Sequence, residues 1–325
     1  MRDRKPPDAL AAAIDRFVTH QRAFGCRYIQ QESVLKSLQR FVALQCGTDL
    51  SASVYEQWCR FERRLSPTTR HLYQLTVHKF CRFRQRHEPQ CFVPDPAGFT
   101  RPRPYRSPVI ITPEQIVSLL RTADALSPSQ YSLRPAVMRM AVVLLYTCGL
   151  RRSELIRLQL TDVDTKHGVL HIRDTKFHKS RWIPLSPDGR AELGRYLRQR
   201  LKRTHDLQPS APLLGNSIHA YGHRGWHAFS TIGISRAMST LIALAGVRGP
   251  DGRRPRMHDF RHSFAVQVLS RCYREGGDVQ TQLPKLALYM GHVSIVSTAY
   301  YLHFIPEIAS LASERFGRHY ARIIQ

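Results

Sequence analysis

Hydrophobic residues recur every three or four positions along much of the chain, which predicts amphipathic helices. In the segment 66–86 the apolar side falls on Tyr73, Val77 and Phe80, and basic side chains project from the opposite side. The Ser-Pro pair that opens this segment is a typical helix start. The same period runs through 31–44. We therefore expect a small helical domain with one basic face over residues 1–88.

The second part of the chain is also patterned as helices, with one exception. The sequence ITPEQ, at 111–115, predicts a capped helix start, and an apolar run that ends at Gly149 predicts a buried helix. Between 168 and 185, apolar and polar residues alternate as they do in short antiparallel strands. The pattern predicts a mainly α fold in which a helical first domain is followed, over 108–325, by a helix-rich domain with a small antiparallel sheet.

A proline-rich stretch separates these two parts. Six prolines lie within 87–111, and Arg101, Arg103 and Arg106 are interleaved with them. Proline at this density disfavours helices and central strands and favours an extended, semi-rigid connector. We expect an interdomain linker over 89–107. Its arginines either follow a phosphate backbone or are simply solvated.

Composition adds a partner class to this outline. The chain has 325 residues and a formal net charge of +25, and the basic excess runs through both halves. That charge favours a polyanionic partner, DNA or RNA, over a basic tail. No apolar run is long enough for a membrane helix, and the N-terminus does not read as a secretory signal. Seven cysteines without a C-x-x-C pair indicate reduced thiols in a cytosolic protein.

Three short segments hold residue types suited to phosphodiester chemistry, which needs cations, a nucleophile and an acid. In GLRRSEL (149–155), Arg151 and Glu154 are three positions apart on one side of a helix, as in an ordinary surface ion pair. In HDFRH (258–262), the first histidine and the arginine share a face. The two histidines also have zinc-helix spacing, although no third ligand is evident. The third segment is a Gly-His pair followed nine residues later by Tyr301, which by itself resembles core packing.

Taken together and in this order, the three segments resemble those of the tyrosine recombinase (phage integrase) family. The resemblance covers 108–325, and the helical first domain is similar to that family's core-binding domain. It implies a set of catalytic residues, with Lys176 favoured over Lys179 and Tyr301 over Tyr300. The set comprises Arg151, Lys176, His258, Arg261, His292, the nucleophile Tyr301 and the orienting residue Glu154.

The resemblance also implies an activity and an assembly. Enzymes of this family cleave DNA through a 3′-phosphotyrosyl intermediate and rejoin it without a metal or other cofactor. The implied partner is double-stranded DNA, clamped between the two domains and held by a homo-tetramer on synapsed sites, alone or beside related recombinases. The amphipathic segment 306–325 is a candidate assembly helix, or packs within its own chain. We expect integration or transposition of a mobile element by a cytoplasmic, nucleoid-associated protein with no membrane partner.

The sequence departs from the family pattern in two places. The spacing of 31 residues between Arg261 and His292 is longer than usual and predicts an inserted loop, and Met290 replaces the more typical leucine. Two alternatives remain open at this point. A type IB topoisomerase uses nearly the same residues, and a non-catalytic DNA-binding protein would keep the charge without the chemistry.

The remaining positive charge supplies candidates for holding the duplex around the scissile phosphate. They lie in the predicted helix before the linker, just beyond it, and in the linker itself. These candidates are Arg70, Lys79, Arg82, Arg86, Arg101, Arg103 and Arg106.

Duplex DNA binding should therefore depend steeply on salt. If six or more phosphates are contacted, affinity should fall by about 10³-fold or more between about 50 and 200 mM salt, because condensed counterions are released on binding. Fluorescence anisotropy with a labelled duplex measures this slope. An affinity that hardly changes over that range would contradict the assignment of the charge to phosphate contacts.

Overall fold

The computed structural model describes residues 9–45, 47–127, 133–173, 180–204, 207–220, 223–292 and 294–304, with side chains in 217–225 left aside. Contacts divide the chain into two units, Met1–Arg106 and Ser107–Gln325. Most described residues are helical, and the strands form small antiparallel sheets. The mainly α fold predicted from the hydrophobic pattern is confirmed. Among the described helices, none is long and apolar enough to cross a membrane.

The first unit is a bundle of helices around one apolar core. These helices are α1 (Ala9–Ala23), α2 (Ile29–Leu44), α3 (Ala52–Phe61) and α4 (Pro67–Arg84). Ser51 and Ser66 cap α3 and α4, because each hydroxyl accepts a hydrogen bond from a backbone N–H three residues further on. Phe17, Leu35 and Phe80 are among the side chains that fill the core between the helices.

Helix α4 keeps its apolar and basic side chains on different sides. Val77 and Phe80 are fully buried, whereas Lys79 and Arg82 are exposed, as is Arg86 just beyond the helix end. A surface helix separates its side chains in this way because only the apolar stripe gains by leaving water. The first unit therefore presents the basic face that the sequence predicts.

Arg84 is the exception, because it is a basic residue on the buried side of α4. Its guanidinium donates two hydrogen bonds to the Asp49 carboxylate, at 2.6 and 2.7 Å, and one to Glu88 at 2.6 Å. A buried cation is tolerated when it is paired in this way. The network joins the loop before α3 to the end of α4.

The proline-rich stretch is fastened to α4 over part of its length. His78 Nδ1 lies 2.9 Å from the Pro94 carbonyl oxygen, and the Thr100 amide donates to Gln74 at 2.8 Å. The Arg103 amide donates to Thr68 Oγ1 at 3.1 Å. Because proline has no N–H, side chains of the helix supply the partners that a strand or helix would otherwise provide. The domain and linker boundaries proposed from the sequence stay a prediction.

The second unit has more helices and both sheets. Its helices are α5 (Pro113–Asp124), α6 (Arg134–Thr147), α7 (Arg152–Arg157), α8 (Pro187–Arg203), α9 (Thr231–Leu244), α10 (Met257–Arg274), α11 (Val279–Met290) and α12 (Val296–Ala299). A 3-10 turn, Tyr300–Phe304, follows α12. The strands are β1 (Val163–Asp164), β2 (Val169–Ile172), β3 (Arg181–Pro184), β4 (Gly215–Ala220) and β5 (His223–Ala228).

Helix α6 is the centre of this unit. It is buried along most of its length, and α5, α8 and α10 pack around it. A helix with apolar residues all round is stable only inside such a core. Its end is therefore fixed in place, and the chain turns there through Gly149 into α7.

The larger sheet has the order β1-β2-β3, and each neighbouring pair is antiparallel. Leu170 and Ile183 are directly opposite each other and both are buried, while Trp182 is exposed and stacks on His171. The alternation in the sequence thus predicted these strands correctly. The register also sets Arg181 opposite Ile172, at the start of β3.

Gly149 should be hard to replace, because its φ is +58° and an added Cβ would lie 2.5 Å from Phe264 Cδ1. We expect Gly149→Ala to lower the free energy of unfolding by about 3 kcal/mol, from left-handed strain and overpacking together. Gly246→Ala is the matched control, since its φ is +67° with nothing within 4 Å of the new methyl group. That variant should lose only about 1 kcal/mol in urea denaturation. Equal losses would mean that Phe264 moves aside freely.

Candidate active site

Arg151 and Glu154 form the first part of the site, at the start of α7. Arg151 occupies the N-cap position, where its backbone N–H donates to Glu154 Oε2 at 2.9 Å. Its guanidinium Nη1 donates to Glu154 Oε1 at 2.8 Å. The Glu154 side chain is almost completely buried, whereas Arg151 keeps 21% of its side chain exposed. The carboxylate therefore holds the arginine while leaving part of its guanidinium accessible.

Three arginines converge on the last turn of α11. Arg181 Nε donates to the Tyr289 carbonyl at 2.7 Å, Arg261 Nη2 to the Met290 carbonyl at 2.6 Å, and Arg151 Nη2 to the Gly291 carbonyl at 2.8 Å. Carbonyls at the end of a helix lack partners within the helix and carry its partial negative charge. The carbonyls at the end of α11 thus fix three guanidinium groups that come from three other segments of the chain.

Arg261 is the most deeply buried cation of the site, with 1% of its surface exposed. Its Nη1 also donates to the Gly149 carbonyl at 2.6 Å, so the side chain joins the turn before α7 to the turn after α11. Burial, and then the neighbouring Arg151 cation, lowers the pKa of Arg261 to about 10. The guanidinium is therefore still charged at neutral pH.

His258 and His262 follow each other by one turn on α10, and their ring centroids are 4.7 Å apart. His258 is exposed as a whole residue, but the protein around its ring and the Arg261 cation both lower its pKa. Burial and the neighbouring His258 lower the pKa of His262 to about 4. Within the described part of the chain, no group of three His, Cys, Asp or Glu residues is arranged to hold a metal.

His292 and Tyr301 complete the site from the segment after α11. Gly291 ends that helix with a φ of +66°, and the next residue, His292, places its Nδ1 2.8 Å from Thr298 Oγ1. Burial, followed by Arg261 and Arg151, lowers the pKa of His292 to about 4. The ring is therefore neutral at pH 7 and exchanges hydrogen bonds without adding charge.

Of the two adjacent tyrosines, Tyr301 is the one that faces the histidines. It is 3% exposed, and its ring lies 6.1 Å from His292 and 5.4 Å from His262, measured between centroids. Tyr300 instead packs on Phe304 and His303. In the sequence, Tyr301 is distinguished from Tyr300 only by its distance from the Gly-His pair. In the structure, the Tyr301 ring lies beside His262 and His292.

Some residues singled out in the sequence lie elsewhere. Lys176 and Lys179 fall outside the described residues, as does the proposed assembly segment from 306 onward. The candidate DNA-binding residues belong to the first unit, where Arg70 is half-buried on α4. The other six are exposed, namely Lys79, Arg82, Arg86, Arg101, Arg103 and Arg106.

Sequence reasoning missed Arg181, which begins β3. Its guanidinium donates to both oxygens of Glu154, at 3.0 and 2.9 Å, and its side chain is 9% exposed. A local signal existed, since Arg181 alternates with the buried Ile183 on one side of β3, and a charged side chain on that side needs a partner. That partner, Glu154, lies 27 residues away in the sequence, so the local pattern around Arg181 does not indicate it.

A basic groove of about 830 Å³ opens beside these residues. Arg151 and His258 lie along its wall with Arg152, Arg254 and Arg256, and hydroxyl groups of α9 line another side. Guanidinium and hydroxyl groups are the donors that most often contact phosphate and sugar oxygens of nucleic acids. The groove therefore suits a polyanionic strand that passes the site.

The negative charge of Glu154 should contribute strongly to the free energy of unfolding. Burial alone would raise its pKa, but the bonds from Arg181 and Arg151 outweigh burial and hold the pKa at about 2. The ionised carboxylate stabilises the fold fully when the pH is above 4.5, the ordinary pKa of a glutamate side chain. The stabilisation is lost progressively as the pH falls from there towards 2. We expect Glu154→Gln to lose about 3 kcal/mol of unfolding free energy at pH 7.

Urea denaturation at pH 7 and pH 4 checks this prediction, and the gap to the wild type should shrink by about 1 kcal/mol at the lower pH. Glu114→Gln, at an exposed position in the first turn of α5, should leave stability nearly unchanged. A gap for Glu154→Gln that is the same at both pH values would show that the carboxylate's charge is not what stabilises the site.

Comparison with known proteins agrees with this arrangement. The profile of the phage integrase family matches residues 110–307. The chain is 32% identical over 317 residues to y4rB of Sinorhizobium fredii, a provisionally named integrase/recombinase, and the match covers 95% of this chain and 97% of that one.

Two solved structures share the fold. The XerH site-specific recombinase bound to its palindromic difH substrate, in a post-cleavage complex, gives a TM-score of 0.61 at 15% identity and covers 98% of each chain. The Tn1549 transposon integrase in complex with transposon right-end DNA gives 0.60 at 17% identity, over 90% of this chain and 94% of that one. The family profile and the y4rB match show that the chain belongs to the phage integrase family, the tyrosine recombinases, whose members cleave and rejoin DNA strands.

Proposed function

We propose that this recombinase cleaves duplex DNA with Tyr301 as its nucleophile and exchanges strands between specific sites. One observation supports this most strongly. Two arginines, two histidines and a tyrosine from three segments of the chain meet around the end of α11, and the two arginines donate to the Met290 and Gly291 carbonyls there. Preorganised cations and neutral hydrogen-bonding groups are what a phosphoryl transfer without a metal requires.

The proposed reaction proceeds in two balanced steps. Tyr301 Oη passes its proton to the His258 ring as it attacks the phosphorus, and the bond between phosphorus and the 5′ oxygen breaks. The products are a 3′-phosphotyrosyl link and a free 5′-hydroxyl, which takes its proton from Lys176. A 5′-hydroxyl of another strand then gives its proton back to Lys176 and attacks the phosphotyrosine, which rebuilds the phosphodiester and releases Tyr301 with the proton held by His258. The covalent link conserves the bond energy, so no nucleotide triphosphate is consumed.

Each remaining residue has a role that follows from its charge state. The Arg151 and Arg261 guanidinium groups stabilise the negative charge that grows on the non-bridging oxygens. His292 is neutral at pH 7 because its pKa is about 4. It therefore donates a hydrogen bond to the phosphate through one ring nitrogen and adds no charge to the cluster. His258, whose pKa is also lowered, assists proton transfer.

The wider grip on DNA comes from basic surfaces of both units. In the catalytic unit, the groove lined by Arg152, Arg254 and Arg256 suits the backbone next to the scissile phosphate. In the first unit, Lys79 and Arg82 are exposed beside a cavity of about 440 Å³. Contacts of this kind set register and affinity without reading sequence, so they fit the salt dependence expected from the net charge.

We place the enzyme in the integration or transposition of a mobile element. The name given to y4rB supports this setting, as does the transposon integrase that shares the fold. The proposed assembly is a homo-tetramer on two synapsed sites, because exchange between two duplexes opens four strands and each needs its own tyrosine. Such a complex acts on DNA at the nucleoid, alone or beside related recombinases.

Covalent trapping tests the nucleophile. A pool of nicked duplexes with randomised sequence traps the enzyme wherever it cleaves, since the short 5′-hydroxyl fragment diffuses away and cannot be rejoined. We expect the wild type to form an adduct that survives denaturation, and Tyr301→Phe to form none while still binding DNA. Tyr300→Phe is the matched control and should retain adduct formation.

Mass spectrometry of the trapped peptide identifies the modified side chain, and sequencing of the trapped DNA gives the recognised site. A nucleotide on any residue other than Tyr301, or undiminished trapping by Tyr301→Phe, would overturn the assignment.

A further inference from the structure

The side chain of Arg181 makes three hydrogen bonds within the site, although the proposed reaction gives it no role. Two of its nitrogens donate to the two oxygens of Glu154 in a bidentate pair, and Nε donates to the Tyr289 carbonyl. It is 9% exposed, so DNA has little access to it. An arginine that makes three hydrogen bonds through its guanidinium group can hold the groups that it contacts in fixed positions.

We propose that Arg181 is a positioning residue for DNA cleavage, which keeps the Arg151 guanidinium available to the scissile phosphate and holds the turn that carries His292. This inference rests on the proposed function, since it assumes that Arg151 acts on the phosphate. Arg181 acts through its neighbours and does not touch the substrate.

The first part of the argument is the charge balance around Glu154. Both carboxylate oxygens are shared, so that each accepts one bond from Arg151 and one from Arg181. With both arginines present, the trio carries a net charge of one positive unit. Without Arg181, Glu154 neutralises Arg151 and draws its guanidinium inward, because a buried carboxylate strongly attracts its one remaining partner. The phosphate would then lose a cation even though Arg151 is still present.

The second part is the link to the end of α11. Tyr289, Met290 and Gly291 offer consecutive carbonyls to Arg181, Arg261 and Arg151. A Cβ placed on Gly291 would come within 3.1 Å of Arg181 Nη1, which shows how closely the turn packs on this guanidinium. The residue after that glycine is His292. Removing Arg181 therefore breaks one of the three hydrogen bonds to carbonyls that fix the position of His292.

The geometry also predicts that lysine cannot replace Arg181. Lysine has a single ammonium group on a flexible stem, whereas Arg181 needs a planar fork for Glu154 and a third donor pointing to Tyr289. A positive charge at this position cannot hold both Glu154 and Tyr289 without the planar guanidinium group. The conservative exchange should therefore behave nearly as badly as removal of the charge.

Single-turnover cleavage of a nicked duplex that carries the trapped site tests the proposal. We expect Arg181→Gln and Arg181→Lys to cleave about 100-fold more slowly than the wild type, as displaced catalytic groups do, with DNA affinity changed little. Arg139→Gln is the matched control. That residue is also a mostly buried arginine with two carboxylate partners, but it bonds to Asp124 and Glu192. It should cleave at close to the wild-type rate.

A second substrate separates positioning from a general loss of folded enzyme. A methylphosphonate at the scissile position has no charge, so the reaction depends less on the cations. If Arg181 keeps Arg151 available, the ratio of wild-type to variant rate should fall from about 100 to about 10 or less on this substrate. A fraction of misfolded enzyme would lower both rates equally and leave the ratio unchanged.

The outcomes are distinct. An unchanged ratio on methylphosphonate, or cleavage by Arg181→Lys at the wild-type rate, overturns the positioning role. Failure of the wild type to form any adduct instead contradicts the proposed function, and it appears in the same assay before a variant is compared.

Discussion

A buried carboxylate with more than one cationic partner is the constraint around which the second unit of this protein is arranged. Glu154 is almost fully enclosed, and a carboxylate in that position is stable only when donors surround it. Arg151 supplies two hydrogen bonds and Arg181 two more. Because these arginines also reach the end of α11, the requirement to satisfy one acid fixes the start of α7, the start of β3 and the turn before His292 relative to one another.

The same cluster shows how several cations are held close together in a folded protein. Three arginines lie close together, and their mutual repulsion is offset by Glu154 and by helix-end carbonyls. Burial, and after it repulsion from Arg151, lowers the pKa of Arg261. The nearby histidines respond to burial and to these cations by staying neutral at pH 7, which prevents further accumulation of charge. The site thus offers fixed positive charge together with neutral hydrogen-bonding groups.

Much of the local structure was predictable because its causes are local. The capping box at Thr112, the proline at the start of α4 and the alternation in β2 and β3 each act over a few residues, and all appear in the structure. The pairing of Arg151 with Glu154 belongs to this group, since a spacing of three positions brings side chains together on any helix. Arg181 does not, because its partners lie 27 and 108 residues away.

By itself, the sequence determined the family, the mainly helical class and the types of side chain available for chemistry. Ordered motifs, hydrophobic period and net charge carry that information, and each can be read along the chain. Only the tertiary structure decided which cation meets which carbonyl, which tyrosine faces the histidines, and that Arg181 shares Glu154 with Arg151. The physical reason is that α10 packs against α6 and α11, and α11 packs against β3, which brings distant segments within hydrogen-bond distance; no local pattern in the sequence records those contacts.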